Sequence, residues 1–106
     1  MAHFLWSANF TPEAMQGVKK EGGTSRRATI EKMISDAGGT LEAFYFAFGA
    51  DDVYLIVELP DNVSAAAIAM TVGASGSVSV ETTVLLTPEE VDEAVKKTVA
   101  YRAPGQ

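Results

Sequence analysis

The chain contains four stretches in which hydrophobic and polar residues alternate with the period of two that is typical of β-strands. The first comprises residues 2–10 and turns these hydrophobic side chains to one face: Phe4, Trp6, Ala8 and Phe10. Residues 41–60 hold two more, rich in aromatic and β-branched residues, around a break at residues 48–52 that contains the only glycine of the segment. The fourth comprises residues 77–86. The pattern predicts four strands, two of which form a central hairpin.

The two hairpin arms differ in how clearly their faces are separated. In the second arm every other residue is hydrophobic, and we assign this set to the face that helices cover: Val53, Leu55, Val57 and Leu59. The first arm places three phenylalanines on one face: Phe44, Phe46 and Phe48. Its other face holds Leu41, Ala43, Tyr45 and Ala47. The sequence leaves open which of these two faces meets the helices.

A helix start follows the first strand. Thr11-Pro12-Glu13 combines an N-cap, a proline at the first helical position and an acidic residue in the first turn. The predicted buried side of this helix consists of Met15 and Val18. Gly22-Gly23 interrupts it, because a glycine in a helix interior costs about 1 kcal/mol. We expect Thr24 or Ser25 to cap the continuation.

The continuation and two later segments also carry helix signals. Hydrophobic residues spaced i, i+3, i+4 and i+7 make the continuation amphipathic: Ile30, Met33, Ile34 and Ala37. Gly38-Gly39 ends it. Pro60-Asp61-Asn62 stops the second hairpin strand and caps an alanine-rich helix over residues 63–72. Thr87 and Glu90 form a capping box. It opens a last helix with a hydrophobic face made of Val91, Ala94, Val95 and Val99.

The elements follow the order strand, helix, strand, strand, helix, strand, helix. Strand–helix–strand units require right-handed crossovers, and a hairpin joins the two halves of the chain. The simplest arrangement is an α+β, ferredoxin-like βαββαβ fold with a four-stranded antiparallel sheet and an extra C-terminal helix. A chain of 106 residues is one domain. We expect it to span residues 1–100, followed by a flexible tail at residues 101–106.

The helices of this fold all lie on one side of the sheet, so the other side would face water. That side carries Leu5, Ile56 and Leu85 together with aromatic residues of the first hairpin arm. Monomers rarely leave a contiguous hydrophobic patch of several hundred Å² exposed. We therefore expect two copies of the chain to pack sheet to sheet as a symmetric homodimer. A higher oligomer is the open alternative.

The amino-acid composition excludes several classes of binding partner and of chemistry. The chain carries 14 acidic and 8 basic residues, for a net charge of −6. A nucleic-acid surface requires a basic stripe, so we expect no nucleic-acid partner. The absence of cysteine excludes disulfides and thiolate chemistry. No run reaches the roughly 18 apolar residues of a membrane helix, and no leader peptide is recognisable. We expect a soluble cytoplasmic protein with no membrane partner.

His3 is the only histidine, and histidine is the side chain whose unperturbed pKa lies near neutrality. Glu58 and Glu81 lie on the mixed faces of strands that should be its neighbours. A histidine with two carboxylates can bind a metal ion or move a proton. No ligand spacing such as H-x-H or H-E-x-x-H is present. We therefore predict no metal site and no cofactor, and interpret His3 as a strand-end residue half in solvent.

Three other groups have both a chemical and a structural interpretation. Asp51 and Asp52 form either a paired-carboxylate site or, more usually, a turn whose side chains bond the local backbone. Arg26 and Arg27 either grip an anion or belong to a solvated helix turn. Aromatic residues with polar atoms either line a pocket or pack in the core or a dimer interface. These are Trp6, Tyr45 and Tyr54.

Two segments around the central hairpin resemble the signature of the GYD-domain family of small bacterial proteins: Gly49-Ala50-Asp51-Asp52-Val53-Tyr54 and Val57-Glu58-Leu59-Pro60-Asp61. The resemblance extends to Arg26-Arg27 and to the segment from Gly76 to Thr83. Asp51 stands where the family has tyrosine, whereas Gly49 and Asp52 fit. The family is similar in fold to dimeric α/β-barrel proteins, so the resemblance implies a pairing of that kind. It implies no particular reaction.

The leading hypothesis is a homodimeric module that binds a small, partly apolar organic ligand or serves assembly. Its candidate ligand-binding residues are Trp6, Arg27, Tyr45, Glu58, Glu81 and Thr83. The alternative is a cofactor-free enzyme of the monooxygenase or isomerase type, which rests on analogy with other dimeric α/β barrels. In that case the candidates for the proton-handling group are His3, Asp52 and Tyr54.

Overall fold

A computed structural model of the chain describes residues 1–106. The strands are β1 (Ala2–Phe10), β2 (Thr40–Phe46), β3 (Val53–Leu59) and β4 (Val78–Leu85). The helices are α1 (Pro12–Glu21), α2 (Gly23–Asp36), α3 (Asn62–Ala74) and α4 (Pro88–Ala94). None of these helices has the length and apolar character needed to cross a lipid bilayer.

The strands form one sheet in the order β2-β3-β1-β4, and every neighbouring pair is antiparallel. β1 lies at the centre, where Phe4 is opposite Val57 on β3 and opposite Val84 on β4. This strand order, combined with the order of the elements along the chain, is that of a ferredoxin-like βαββαβ fold with an extra C-terminal helix. The predicted α+β architecture is confirmed.

The hydrophobic core lies between one face of the sheet and the helices α2 and α3. Its most completely buried large side chains are Phe4, Ile34, Val57 and Leu59. Burial of each contributes about 1.5–3 kcal/mol relative to an exposed side chain. The whole alternating set of β3 that was assigned to the helices is buried, which confirms that assignment. No polar or charged residue is fully buried, so apolar packing is the main interaction in this core.

The other face of the sheet, which we call the open face, has no helix packed on it. It includes His3, Leu5, Ser7, Asn9, Tyr45, Tyr54, Ile56, Glu58, Glu81, Thr83 and Leu85. Its aliphatic residues are half-buried by their neighbours, whereas Tyr45 is 71% exposed. The face therefore combines apolar and ionisable side chains, as the alternation along the strands predicts.

The first helix is capped as predicted but adds little to the core. Thr11 Oγ1 accepts a hydrogen bond from the Ala14 N–H at 3.2 Å. No residue of α1 is buried, and Met15 is 36% exposed. The prediction that Met15 is buried is therefore wrong. The chain turns at Gly22 directly after α1, and it is α2 that packs on the core through Ile34.

The second helix begins directly at Gly23, with Gly22 as its N-cap residue and no side-chain capping hydrogen bond. The prediction that Thr24 or Ser25 caps this helix is wrong. Gly22 adopts a φ of 87°, which glycine tolerates without strain, so the helix restarts at once. The predicted hydrophobic stripe does pack on the core, where Ile34 is fully buried. The other members of the stripe are partly buried: Ile30, Met33 and Ala37.

A bulge in β2 changes the alternation expected for the first hairpin arm. The pairing register shifts between Leu41 and Ala43, so Glu42 is an extra residue in the arm. Leu41 and Phe44 consequently both pack on the core. Tyr45, opposite Tyr54, lies on the open face. The predicted grouping of Leu41 with Tyr45 on one face is therefore wrong.

The C-terminal segment extends away from the sheet. The capping box of Thr87 and Glu90 is present, as predicted. However, α4 ends at Ala94, so Val95 and Val99 lie beyond it and the predicted four-residue hydrophobic face is wrong. An isolated helix this short is marginal in water, and these valines have no surface of their own chain to pack on. The radius of gyration is 16.9 Å, against about 13 Å for a compact domain of this length.

Two aspartates tie the hairpin turn between β2 and β3 to the end of β1. Asp52 Oδ2 accepts a hydrogen bond from the Phe10 N–H at 2.9 Å. Asp51 accepts from Asn9 Nδ2 at 2.7 Å and from the hydroxyl of Tyr54 at 3.1 Å. The prediction that these aspartates bond the local backbone of their turn is therefore wrong, because Asn9 and Phe10 lie 42 positions from their partners in the sequence.

Gly39 lies where the chain entering β2 passes closest to β3. A Cβ here would overlap the carbonyl oxygen of Glu58 and approach Leu59 Cδ2 to 2.7 Å. We expect Gly39→Ala to lower the free energy of unfolding by about 1–3 kcal/mol, as for other overpacked sites. Urea denaturation measures this change. The matched control is Gly17→Ala in α1, where no atom lies within 4 Å of the added Cβ. We expect this change to raise the free energy of unfolding by up to about 1 kcal/mol. Equal effects of the two changes would contradict the close approach.

The pKa of the Tyr54 phenol is raised above its usual value. The main cause is the hydrogen bond that its hydroxyl donates to Asp51, and the negative charge of Asp51 adds to it. We expect Asp51→Asn to lower this pKa towards the ordinary tyrosine value, because the amide carries no charge that opposes the tyrosinate. Ultraviolet titration of tyrosinate checks it, with Tyr54→Phe identifying the Tyr54 component. Asp52→Asn is the control, since Asp52 bonds backbone and not the phenol. An unchanged titration in Asp51→Asn contradicts the contact.

Candidate functional site

A cavity lies between the sheet and the helices α2 and α3. Its volume is about 50 Å³, and 13 of its 14 lining residues are hydrophobic. A single water needs about 10–15 Å³ by this kind of measure, and a cavity that holds benzene measures about 150 Å³, so this one admits a short aliphatic group. It is bordered by short side chains, among them Ala8 at the centre of the sheet and Ala69 in α3. These alanines leave space that a larger residue would fill.

Trp6 forms part of the cavity wall. Its indole Nε1 donates a hydrogen bond to Thr82 Oγ1 at 2.8 Å, so the only polar atom of the ring is satisfied within the protein. The side chain is almost completely buried. Trp6 is therefore both a core residue and a lining residue, and it presents only apolar surface to the cavity.

Arg26 is the one charged residue of the cavity lining. It lies near the start of α2, is half-buried, and also borders a neighbouring groove between α1 and the sheet. Glu21 borders the same groove, but the ion pairs of the structure do not include Arg26. Its guanidinium is thus an unpaired cation at the edge of an apolar space. Arg27, the predicted ligand-binding residue, is exposed and does not line the cavity.

A cluster of ionisable side chains lies on the open face, near the start of β1. His3 Nε2 is 3.2 Å from Glu42 Oε1 and 3.5 Å from Glu58 Oε2. Each of the three side chains retains partial contact with solvent. His3 is directly opposite Glu58 in the β1–β3 ladder, whereas the bulge in β2 supplies Glu42. We call this group the His3 cluster: His3, Glu42 and Glu58.

The remaining predicted site residues do not come together. In the β1–β4 ladder Glu81 is opposite Ser7, and Thr83 is opposite Leu5, so Glu81 is not paired with His3. Tyr45 lies on the edge strand opposite Tyr54. Asp52 and Tyr54 belong to the contacts of the hairpin turn. The sheet therefore separates Trp6, which lines the cavity, from the ionisable candidates on the open face.

Sequence reasoning did not identify Glu42. A strict period of two places Glu42 on the same face as the phenylalanines of its arm without relating it to His3, and only the bulge brings it there. A signal was nevertheless present in the sequence. Leu41 and Phe44 are three residues apart and both strongly hydrophobic, which a regular strand cannot place on one face. Such a break in alternation is typical of a bulge.

One comparison with known proteins identifies the family to which the chain belongs. The family model described as GYD domain matches residues 4–95 of the 106-residue chain. No curated protein and no solved structure matches the chain. The match covers all but the first two residues of the sheet, all helices, the cavity lining, and Glu42 and Glu58 of the His3 cluster, and it agrees with the resemblance of the hairpin segment. The chain belongs to the GYD domain family.

Proposed function

We propose that the chain is a homodimeric module that holds a small, mostly apolar organic anion between its sheet and its helices. The observation that carries this proposal is the pairing of an apolar cavity with one unpaired arginine, Arg26, at its edge. Ligand sites of this kind combine hydrophobic walls with a few polar groups that fix orientation. The ligand class that fits both features is a short alkyl carboxylate.

The charge of Arg26 supports an anionic ligand. A guanidinium presents a fork of N–H donors that matches a carboxylate in two parallel hydrogen bonds. The rest of the lining offers no acceptor for those donors, because its other members are hydrophobic and the Trp6 N–H is already bonded to Thr82. A carboxylate at the edge, with its apolar part inside, pairs the charge and buries the hydrocarbon at the same time.

The alternative, a cofactor-free monooxygenase or isomerase, requires a proton-handling group beside the substrate. The candidates for that role are His3, Asp52 and Tyr54. None of the three lines the cavity. His3 and Tyr54 lie on the open face, and Asp52 bonds the backbone of β1. The arrangement favours a binding module over catalysis in this cavity.

The dimer part of the proposal rests on surfaces that one copy leaves uncovered. Only 12 of the 106 residues are fully buried, and all belong to the core on the helix side of the sheet. The open face carries Leu5, Ile56 and Leu85 beside Tyr45 and Tyr54, all without a covering layer. A second copy of the same face is self-complementary about a twofold axis. Burial of these side chains against their equivalents would supply the missing layer.

The C-terminal segment supports the same pairing. Val91, Val95, Val99 and Tyr101 are exposed, and the segment extends away from its own sheet. It follows β4, an edge strand of the sheet. A partner packed on the open face would offer a surface for these residues to contact. A single copy offers none.

Butyrate and its neutral analogue butyramide test the ligand class, because the two differ in charge and hardly in shape. We expect butyrate to bind about tenfold more tightly than butyramide, which corresponds to one charge-assisted interaction. Fluorescence of Trp6, the only tryptophan, reports occupancy because the ring is part of the wall. Arg26→Gln should remove the preference for butyrate.

The matched control for this experiment is Arg27→Gln. It removes the same charge from the next residue of α2, which is exposed and lies outside the cavity. This variant should keep the preference for butyrate. The proposal is overturned if wild-type protein gives no saturable response, or if the two arginine variants behave alike.

The dimer is tested by sedimentation velocity at micromolar concentration. We expect the wild-type chain to sediment as a dimer and Tyr45→Glu to weaken association at least tenfold, because it places a charge in the proposed contact. Val63→Glu in α3 is the control, since Val63 is 77% exposed, close to the 71% of Tyr45, but lies away from the open face. A wild-type monomer at these concentrations would end the dimer proposal.

A further inference from the structure

We propose that the His3 cluster is a binding site for a divalent transition-metal ion of the zinc class. The site lies on the open face of the sheet, on the opposite side from the cavity, and so it is independent of the ligand proposal. Its three donors are one imidazole nitrogen and two carboxylate oxygens, from His3, Glu42 and Glu58. The three donor atoms all lie within 4.8 Å of one another.

The spacing of the donors fits a single ion. A tetrahedral ion with bonds of about 2.0–2.2 Å separates its ligand atoms by about 3.4 Å. His3 Nε2 lies 3.2 Å from Glu42 Oε1 and 3.5 Å from Glu58 Oε2, on either side of that value. An ion placed between the three atoms would need only small side-chain adjustments. No large movement of the backbone is required.

The alternative interpretation is an ordinary ion pair, which would leave one carboxylate of the cluster without a hydrogen bond from the imidazole. Two carboxylates converge on the single atom Nε2, which carries at most one proton to donate. The other ring nitrogen, Nδ1, is buried and has no hydrogen-bond partner, so every polar interaction of this imidazole passes through Nε2. A cation shared by all three groups satisfies both carboxylates and the nitrogen lone pair together.

The backbone positions of these residues are fixed by the pairing of the strands. His3 and Glu58 are paired residues of two central strands, β1 and β3. Glu42 comes from the β2 bulge, next to Leu41, which is anchored in the core. Bulges commonly re-aim one side chain towards a site. The donors are therefore placed by strand register and core packing, which suits a preorganised metal site.

The surroundings favour a cation. The chain carries a net charge of −6, and two carboxylates of the cluster face one imidazole. The imidazole donor selects metals such as Zn²⁺, Cu²⁺ or Ni²⁺ over Ca²⁺ and Mg²⁺, which prefer oxygen ligands. Three protein ligands leave at least one position of the ion open to water or another small ligand.

Calorimetric titration of the full chain with Zn²⁺ tests the site, with Ca²⁺ as the comparison ion. We expect one Zn²⁺ to bind per chain and Ca²⁺ to bind at least tenfold more weakly. Glu42→Gln, Glu58→Gln and His3→Gln should each weaken Zn²⁺ binding at least tenfold. Visible absorption of the Co²⁺ complex, which depends on coordination geometry, should be lost in Glu42→Gln.

The control variant is Glu89→Gln, an exposed residue in the first turn of α4 that lies outside the cluster. It removes the same charge and should leave Zn²⁺ affinity unchanged. Glu42 is exposed, so its substitution leaves the core intact, and far-ultraviolet circular dichroism verifies the fold of every variant. The proposal is overturned if the wild-type chain does not bind Zn²⁺, or if Glu42→Gln and Glu89→Gln have the same affinity. Equal binding of Zn²⁺ and Ca²⁺ would also overturn it, because it would indicate adventitious attraction by acidic charge.

Discussion

The central position of β1 is the constraint on which the rest of the molecule depends. This strand pairs on both sides, so the alternation of its side chains decides what each face of the sheet carries. Phe4, Trp6 and Ala8 are buried under the helices, whereas His3 and Leu5 lie on the open face. A slip of one residue would exchange the two faces and move the core residues into water. Core and candidate sites are therefore fixed by one register.

That register leaves the two faces unequally covered. The helices α2 and α3 supply a core for one face, and the open face keeps aliphatic and aromatic residues without a layer of its own. The same imbalance accounts for the C-terminal segment, whose valines have nothing in their own chain to contact. Both observations have the same cause, because one copy of the chain has too little surface to cover these residues, and the proposed second copy would cover both.

Much of the fold could be predicted from the sequence, because the signals involved are local. Alternation identified the strands, and the caps at Thr11, Asp61 and Thr87 identified helix starts that the structure contains. Predictions failed where tertiary packing decides the outcome. Whether Met15 is buried depends on which helix reaches the sheet, and the length of α4 depends on a surface for Val95 that the chain does not offer.

The candidate sites were harder to predict for the same reason. The cavity depends on short residues from different elements, such as Ala8 and Ala69, whose proximity no local pattern encodes. Arg26 rather than Arg27 borders it, and only the rotation of α2 about its axis distinguishes these neighbours. By contrast, the pairing of His3 with Glu58 follows from strand order and could be anticipated, whereas Glu42 could not be without its bulge.

The bulge in β2 affects both the packing of the core and the proposed metal site. A regular strand would place Leu41 and Phe44 on opposite faces, so one of these large hydrophobic side chains would leave the core. The extra residue removes that conflict, because both can then pack against the helices. Glu42 is the residue displaced in the process, and the open face beside His3 is where its carboxylate lies. Core packing thus accounts for the position of the third donor, since the residue that the core cannot accommodate completes the His3 cluster.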